Sequence, residues 1–195
     1  MDAYDELMAR LKDIDLISQV GGLVGWDQEV MMPPKAATLR AEQLSWISRT
    51  GHEMITDSRI GELLDDLESR DDLDEVQAGN LRLTRESYDK ATKLPTEFVG
   101  ELAKHQSKSQ VSWTEARAAD DFSIFRDDLA KMIDMCRQQA DYLGYEDLRC
   151  DALLDLYESG LTVPRVDPLF AGLRENVRGE EHTSELQSRP NLVYR

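Results

Sequence analysis

The histidines are the residues of this sequence with the clearest potential for metal chemistry, and the chain has only His52, His105 and His182. Residues 52–56 read His-Glu-Met-Ile-Thr. They begin like the zincin helix motif His-Glu-x-x-His, in which two imidazoles one turn apart hold zinc and the glutamate activates water. Thr56 stands where the second histidine is required, so this segment supplies at most half a site. We predict a surface or capping role for His52 and a structural role for His105.

Adjacent acidic residues could also bind a cation or share a proton. Neighbouring side chains on a helix point in different directions, however. A calcium-binding loop also needs a glycine at its sixth position and a terminal glutamate, which do not occur in register near Asp71. We interpret the pairs as solvated faces and helix caps: Asp65-Asp66, Asp71-Asp72, Asp74-Glu75, Asp120-Asp121 and Asp127-Asp128.

Other catalytic patterns are incomplete. Gly21-Gly22-x-x-Gly25 lacks the Lys-Ser/Thr ending of a phosphate-binding loop, and no Gly-x-Ser-x-Gly sequence occurs. A serine or cysteine nucleophile stays a possible interpretation, although no recognisable pattern of an activating base accompanies any of these residues. Cys136 and Cys150 show no short paired spacing, and we expect both to be reduced core thiols. The sequence therefore assigns no catalytic, cofactor-binding or metal-ligating residue.

The composition is that of a folded, acidic protein. Hydrophobic residues make up 41% and charged residues 32% of its 195 residues, and the net charge is −16. This charge would repel nucleic acid and anionic lipids, and it is also common in ordinary soluble proteins. The N-terminus lacks a signal-peptide pattern, and no apolar run approaches the roughly 20 residues of a membrane span. A cytoplasmic location is the default expectation.

Apolar residues recur at spacings of three and four, which predicts an all-α, antiparallel multi-helix bundle with short joints. We expect the first helix, capped by Asp2, to end or bend near Gly21-Gly22. An extended connection over Met31 to Pro34 should lead to a second helix from about Ala36 to Ile55. The later expected features follow in order: a short helix capped by Asp57, a helix over 73–92, an interruption at Leu94-Pro95-Thr96, a long helix ending at Asp120-Asp121, a helix from a Ser123 cap to Gly144, a short helix over 151–157 that ends at Ser159-Gly160, and a helix capped by Thr162.

The last segment, residues 179–195, differs from the rest because its helical periodicity is lost. Residues 181–195 look like translated adaptor or vector sequence. We therefore predict a helical domain over residues 1–178 and a non-native tail over 179–195, which contains His182.

Two blocks of sequence resemble the carboxypeptidase Taq family. The first block runs from Trp26 to Pro34 and continues with Arg40-Ala41-Glu42-Gln43 and His52-Glu53, which resembles the family's N-terminal signature. The second comprises Trp113 to Arg117, Asp121 to Phe125, Leu129 and Asp151 to Thr162, which are similar to the central helices and the segment after them. The resemblance covers about residues 3 to 178. Cys150 and Ser159 depart from the family's usual tyrosine and proline.

The resemblance implies the N-terminal portion of a larger, mostly helical, zincin-like metallocarboxypeptidase. Members are commonly homodimeric and remove residues singly from peptide C-termini with zinc or a substitute such as cobalt. Their His-Glu-x-x-His ligands, downstream glutamate ligand and carboxylate-binding motif lie beyond the represented region. The implied role here is one wall of a substrate groove, without a cofactor and without activity in the chain alone.

Alternatives remain at two levels. The segment from Trp26 to Pro34 is either a packing and turn motif, with Asp27 meeting Arg40, or a direct substrate contact. The whole chain is either part of an enzyme or a stand-alone acidic helical interaction or scaffold domain. A chain without the metal-bearing part should also expose apolar surface and tend to self-associate.

Overall fold

A computed structural model describes the backbone of residues 2–187 and confirms the all-α prediction. The described residues form eight α-helices and one short 3₁₀ helix and contain no β-strand. The helices are α1 Ala3–Val30, α2 Ala37–Ile55, α3 Ser58–Glu68, α4 Glu75–Thr92, α5 Thr96–Ala119, α6 Ser123–Leu143, α7 Arg149–Leu154 and α8 Val163–Gln187, and the 3₁₀ helix is Pro34–Ala36. The chain divides between Leu143 and Gly144 into two compact units.

The first helix is longer than the sequence indicates, because α1 continues through both central glycines to Val30. Of the two predictions for Gly21-Gly22, the end of the helix is therefore wrong, and the bend stays a prediction. A β-carbon on Gly21 would lie 3.1 Å from Cγ2 of Ile47 on α2. The absence of a side chain at this position thus allows two helices to approach closely, and the glycine does not terminate α1.

The main core lies where α3 packs between α1 and α4. Leucine and isoleucine side chains at spacings of three and four give α3 one apolar face, and all of them are almost fully buried. The helix starts as predicted, since the Asp57 carboxylate accepts a hydrogen bond of 2.8 Å from the Arg59 N–H. The buried cluster consists of Leu7, Ile60, Leu63, Leu64, Leu67 and Leu81.

The joints between helices are closed largely by local hydrogen bonds. Asp74 and Gln77 form a capping box at the start of α4, and Pro95 directly precedes α5. At the start of α6 the predicted capping residue, Ser123, is instead the first helical residue. Its N–H donates to the Asp121 carboxylate at 2.9 Å, and hydrogen bonds from Ser123 lower the pKa of Asp121.

The second unit contains α7 and α8. α7 ends at Leu154, earlier than predicted, and turns follow it. The Asp151 carboxylate accepts a hydrogen bond of 2.8 Å from the Val163 N–H at the start of α8, which is the capping interaction we assigned to Thr162. The backbone of α8 continues to Gln187, within the segment predicted as a non-native tail. Residues 188–195 and the His182 side chain lie outside the described part, and the origin of that segment stays a prediction.

A carboxylate–guanidinium pair links α1 to α3 and should make the protein sensitive to acid. Arg59 donates to both carboxylate oxygens of Glu6, at 2.9 and 2.8 Å. These hydrogen bonds, with a smaller contribution from Arg10, lower the pKa of Glu6 from 4.5 to about 2. A lowered pKa in the folded state stabilises the protein above the unfolded-state pKa, and this stabilisation is lost as the pH falls between about 4.5 and 2.

Glu6→Gln should therefore reduce the free energy of unfolding at neutral pH and make it less dependent on pH between about 4.5 and 2. Urea denaturation at a series of pH values measures both changes. Asp13→Asn, at an exposed position of the same helix, is the matched control. An unchanged acid dependence in Glu6→Gln would contradict the assignment.

Candidate functional site

The end of α1 is held to α2 by Arg40, as the sequence predicts. The Arg40 guanidinium donates to the Asp27 carboxylate and, at 2.7 Å, to the backbone carbonyl of Val24. Its Nε donates to Oε1 of Gln43 at 3.0 Å, and only 13% of the Arg40 side chain is exposed. This half-buried cluster fixes the direction in which the chain leaves α1.

The next residue of the same segment joins α1 to α5. The Ser107 hydroxyl donates to Oε1 of Gln28 at 2.5 Å, and the Gln28 side-chain amide points back to the Ser107 carbonyl at 3.5 Å. Trp26, in contrast, is 56% exposed. Asp27 and Gln28 therefore make contacts between helices, as one of our two interpretations requires, whereas Trp26 and Glu29 are exposed.

His52 is buried, and of the two predicted roles, surface or capping, the structure confirms the capping role. Its Nε2–H donates to the Ala91 carbonyl near the end of α4 at 3.0 Å. Its Nδ1 accepts from the Thr96 hydroxyl, on the first residue of α5, at 2.9 Å. The ring thus closes the α4–α5 joint. These partners are 39 and 44 residues away in sequence, which is why local spacing could not identify them.

The zincin-like segment at 52–56 does not fit a metal ion. Both ring nitrogens of His52 are occupied inside the protein, and the Thr56 hydroxyl donates to the His52 carbonyl at 2.7 Å. Glu53 faces solvent. Among the side chains that the structure describes, no three His, Cys, Asp or Glu residues form a group that could hold a metal ion.

The other candidate nucleophiles and bases have structural surroundings. His105 is 4% exposed, and its Nε2 lies 2.9 Å from the Asp128 carbonyl, which joins α5 to α6. Cys136 and Cys150 are both free thiols, Cys136 half-buried and Cys150 exposed. The predicted core position is therefore wrong for Cys150, because it lies on a short helix whose only fully buried residue is Ala152.

The acidic pairs act as ion-pair partners and caps, as interpreted from the sequence. Arg85 donates to Asp65 at 2.6 Å and to Glu68 at 2.8 Å, which ties α4 to α3. Arg70 donates to Asp72 at 2.8 Å, and this hydrogen bond lowers the pKa of the Asp72 carboxyl. In these contacts the carboxylates bind arginine side chains.

An apolar groove of about 490 Å³ lies between α1, α2 and α5. Its walls are mostly aliphatic, and the one imidazole at its edge, His52, is already hydrogen-bonded. The groove can enclose an apolar group, and the polar side chains in its lining are those of Ser18, Ser48 and His52. Its main lining residues are Ile14, Ile17, Leu44, Ile47, His52 and Val99. None of the described helices has the length and apolar character needed to cross a bilayer.

Comparison with known proteins identifies the scaffold. The Carboxypeptidase Taq (M32) metallopeptidase family model matches residues 6–191. Thermostable carboxypeptidase 1 of Pyrococcus furiosus is 33% identical over 177 residues, covering 91% of this chain and 36% of the relative. Thermostable carboxypeptidase 1 of Thermus thermophilus is 34% identical over 191 residues, covering 91% of this chain and 37% of the relative.

The fold agrees with the sequence match. The match to the crystal structure of BsuCP covers 90% of this chain and 35% of the BsuCP chain, with a TM-score of 0.85 and 34% sequence identity. The chain therefore spans about a third of the length of the curated relatives it matches. Because the family match extends over nearly the whole sequence, this chain belongs to the carboxypeptidase Taq (M32) metallopeptidase family.

Proposed function

We propose that this chain is the N-terminal helical part of a metal-dependent carboxypeptidase and has no peptidase activity by itself. In the complete enzyme it forms one wall of the groove that admits peptide C-termini. The metal is zinc or a substitute such as cobalt, the enzyme is cytoplasmic, and its assembly is a homodimer. No residue of this chain is assigned to the metal or to the reaction.

One observation carries the proposal. The family match runs over nearly the whole chain, yet this length amounts to only about a third of each relative. The packing of His52 supports the proposed lack of activity. His52 belongs to the segment that most resembles a metal-binding motif, and both of its ring nitrogens are hydrogen-bonded at the α4–α5 joint. Metal-activated water requires several protein ligands and an open coordination position.

The proposal is tested by measuring bound metal and peptidase activity on the purified chain. Mass spectrometry of the metal content should find no stoichiometric transition metal. Incubation with a peptide should release no C-terminal amino acid, whereas full-length Thermus thermophilus thermostable carboxypeptidase 1, assayed in parallel, provides the positive control. The same peptide with an amidated C-terminus distinguishes carboxypeptidase cleavage from contaminating endopeptidases.

Tightly bound metal together with release of terminal residues would overturn the inactive-chain proposal. The alternative of a stand-alone acidic interaction or scaffold domain is separated from it by sequencing the source DNA. A reading frame that continues into His-Glu-x-x-His supports the enzyme, and a natural stop codon near Gly179 supports the independent domain.

A further inference from the structure

Large apolar side chains form an exposed stripe along α1. Leu16, Val20, Leu23 and Val30 are 49%, 52%, 64% and 58% exposed. At 100° per residue their spacings of four, three and seven place them within an arc of about 80° on one side of the helix. The buried Leu7 lies on the opposite side, toward α3. The stripe is therefore a continuous surface that faces away from the main core.

The neighbouring helix α2 extends this surface. Leu39 and Trp46, seven residues apart, are 62% and 59% exposed, whereas the other side of α2 buries Ala41 and Ser45. The two helices run antiparallel, since Ile17 meets Gly51 and Gly21 meets Ile47. With this register, helical geometry places both exposed sets on the same side of the hairpin. We call this surface the outer face: Leu16, Val20, Leu23, Val30, Leu39 and Trp46.

The outer face carries little unpaired charge for a strongly acidic protein. On this side of the hairpin the Asp27 carboxylate is paired with Arg40, and Glu42 is paired with Lys104, whereas Glu53 is exposed at one end of the face. The chain as a whole carries a net charge of −16. Six large apolar side chains grouped around two paired carboxylates are typical of a surface that packs against protein, because soluble monomers rarely expose contiguous apolar patches of this kind.

We infer that the outer face of the α1–α2 hairpin is covered by polypeptide corresponding to the part of the longer relatives that lies outside the matched region. This inference depends on the proposed function. The matched region makes up only 36% of the Pyrococcus furiosus relative. The same helix arrangement occurs in the crystal structure of BsuCP, where the matched region makes up 35% of the chain. A second copy of this chain is a less suitable occupant, since two copies of charge −16 repel each other.

Thiol labelling of residue 23 tests this inference. Leu23→Cys is introduced into a Cys136→Ala, Cys150→Ser background and reacted with a maleimide. The rate is compared between the 195-residue chain and a full-length chimera, in which residues 1–178 replace the matched region of Thermus thermophilus thermostable carboxypeptidase 1. Labelling should be at least about tenfold slower in the chimera, because a covered thiol reacts only when the interface opens.

Val76→Cys in the same background is the matched control, since Val76 is an apolar residue that is 71% exposed on α4, outside the outer face. The rate at position 23 is divided by the rate at position 76 in each protein. An equal ratio in the isolated chain and in the chimera would overturn the inference. The isolated chain is labelled at concentrations where light scattering gives a monomeric mass, because self-association through the exposed apolar surface would also protect position 23.

If the chimera does not fold, a cysteine at the residue of the full-length relative that superposes on Leu23 gives the same comparison. Slow labelling there supports the inference and fast labelling overturns it. Labelling is measured without substrate, whereas peptidase assays of the isolated chain test the proposed function. The two proposals can therefore fail separately.

Discussion

Replacing Leu64 by alanine should lower the free energy of unfolding by about 2–5 kcal/mol. Leu64 is 0% exposed and lies in the cluster that joins α1, α3 and α4. Removing its side-chain methyl groups forfeits their burial and leaves a cavity that the surrounding helices can fill only partly. Chemical denaturation followed by far-UV circular dichroism measures the loss.

Leu83→Ala is the matched control for this substitution. Leu83 lies on α4 and is 54% exposed, so the same change in chemistry should alter the free energy of unfolding by less than about 0.5 kcal/mol. Similar losses for Leu64→Ala and Leu83→Ala would mean that α3 does not form the centre of the core.

Replacing His52 by leucine should cost about 1–3 kcal/mol, because the substitution leaves buried polar groups at the α4–α5 joint without their partner. The imidazole donates to the Ala91 carbonyl and accepts from the Thr96 hydroxyl. Leucine has nearly the same bulk but no polar atom. Equilibrium denaturation measures the loss, and faster hydrogen exchange of amides near residues 91–96 should accompany it.

His52→Gln is the control for polarity at this position. Its amide can still donate to the Ala91 carbonyl, so the expected loss is smaller than for leucine. If the leucine variant were as stable as the parent protein, His52 would not be needed to close the joint.

Helix starts and ends were predictable where the signal lies within a few residues. Asp57 and Asp74 cap the helices that follow them, and Gly144 takes a positive φ of 82° directly after α6. The predicted helix end at Gly21 is wrong because the role of this glycine depends on a residue of another helix. Its contact with Ile47 makes glycine favourable inside α1, and no rule based on local propensity includes that contact.

The candidate site shows the same division between local and distant information. The pairing of Asp27 with Arg40 could be anticipated from family resemblance, and the structure confirms it. The position of His52 could not, because its polar partners come from a joint about forty residues further along the chain. Cys150 was misplaced for a related reason, since a lone cysteine carries no pattern that separates a buried position from an exposed one.

The contact between Gly21 and Ile47 has a consequence for how sequences with this hairpin can evolve. A β-carbon at position 21 would lie only 3.1 Å from Ile47 Cγ2, so the distance between the helices is set jointly by the two positions. A side chain at position 21 requires the Ile47 side chain to shift, and this shift is smaller when position 47 carries a smaller residue. Substitutions at these two positions should therefore be inherited as a pair.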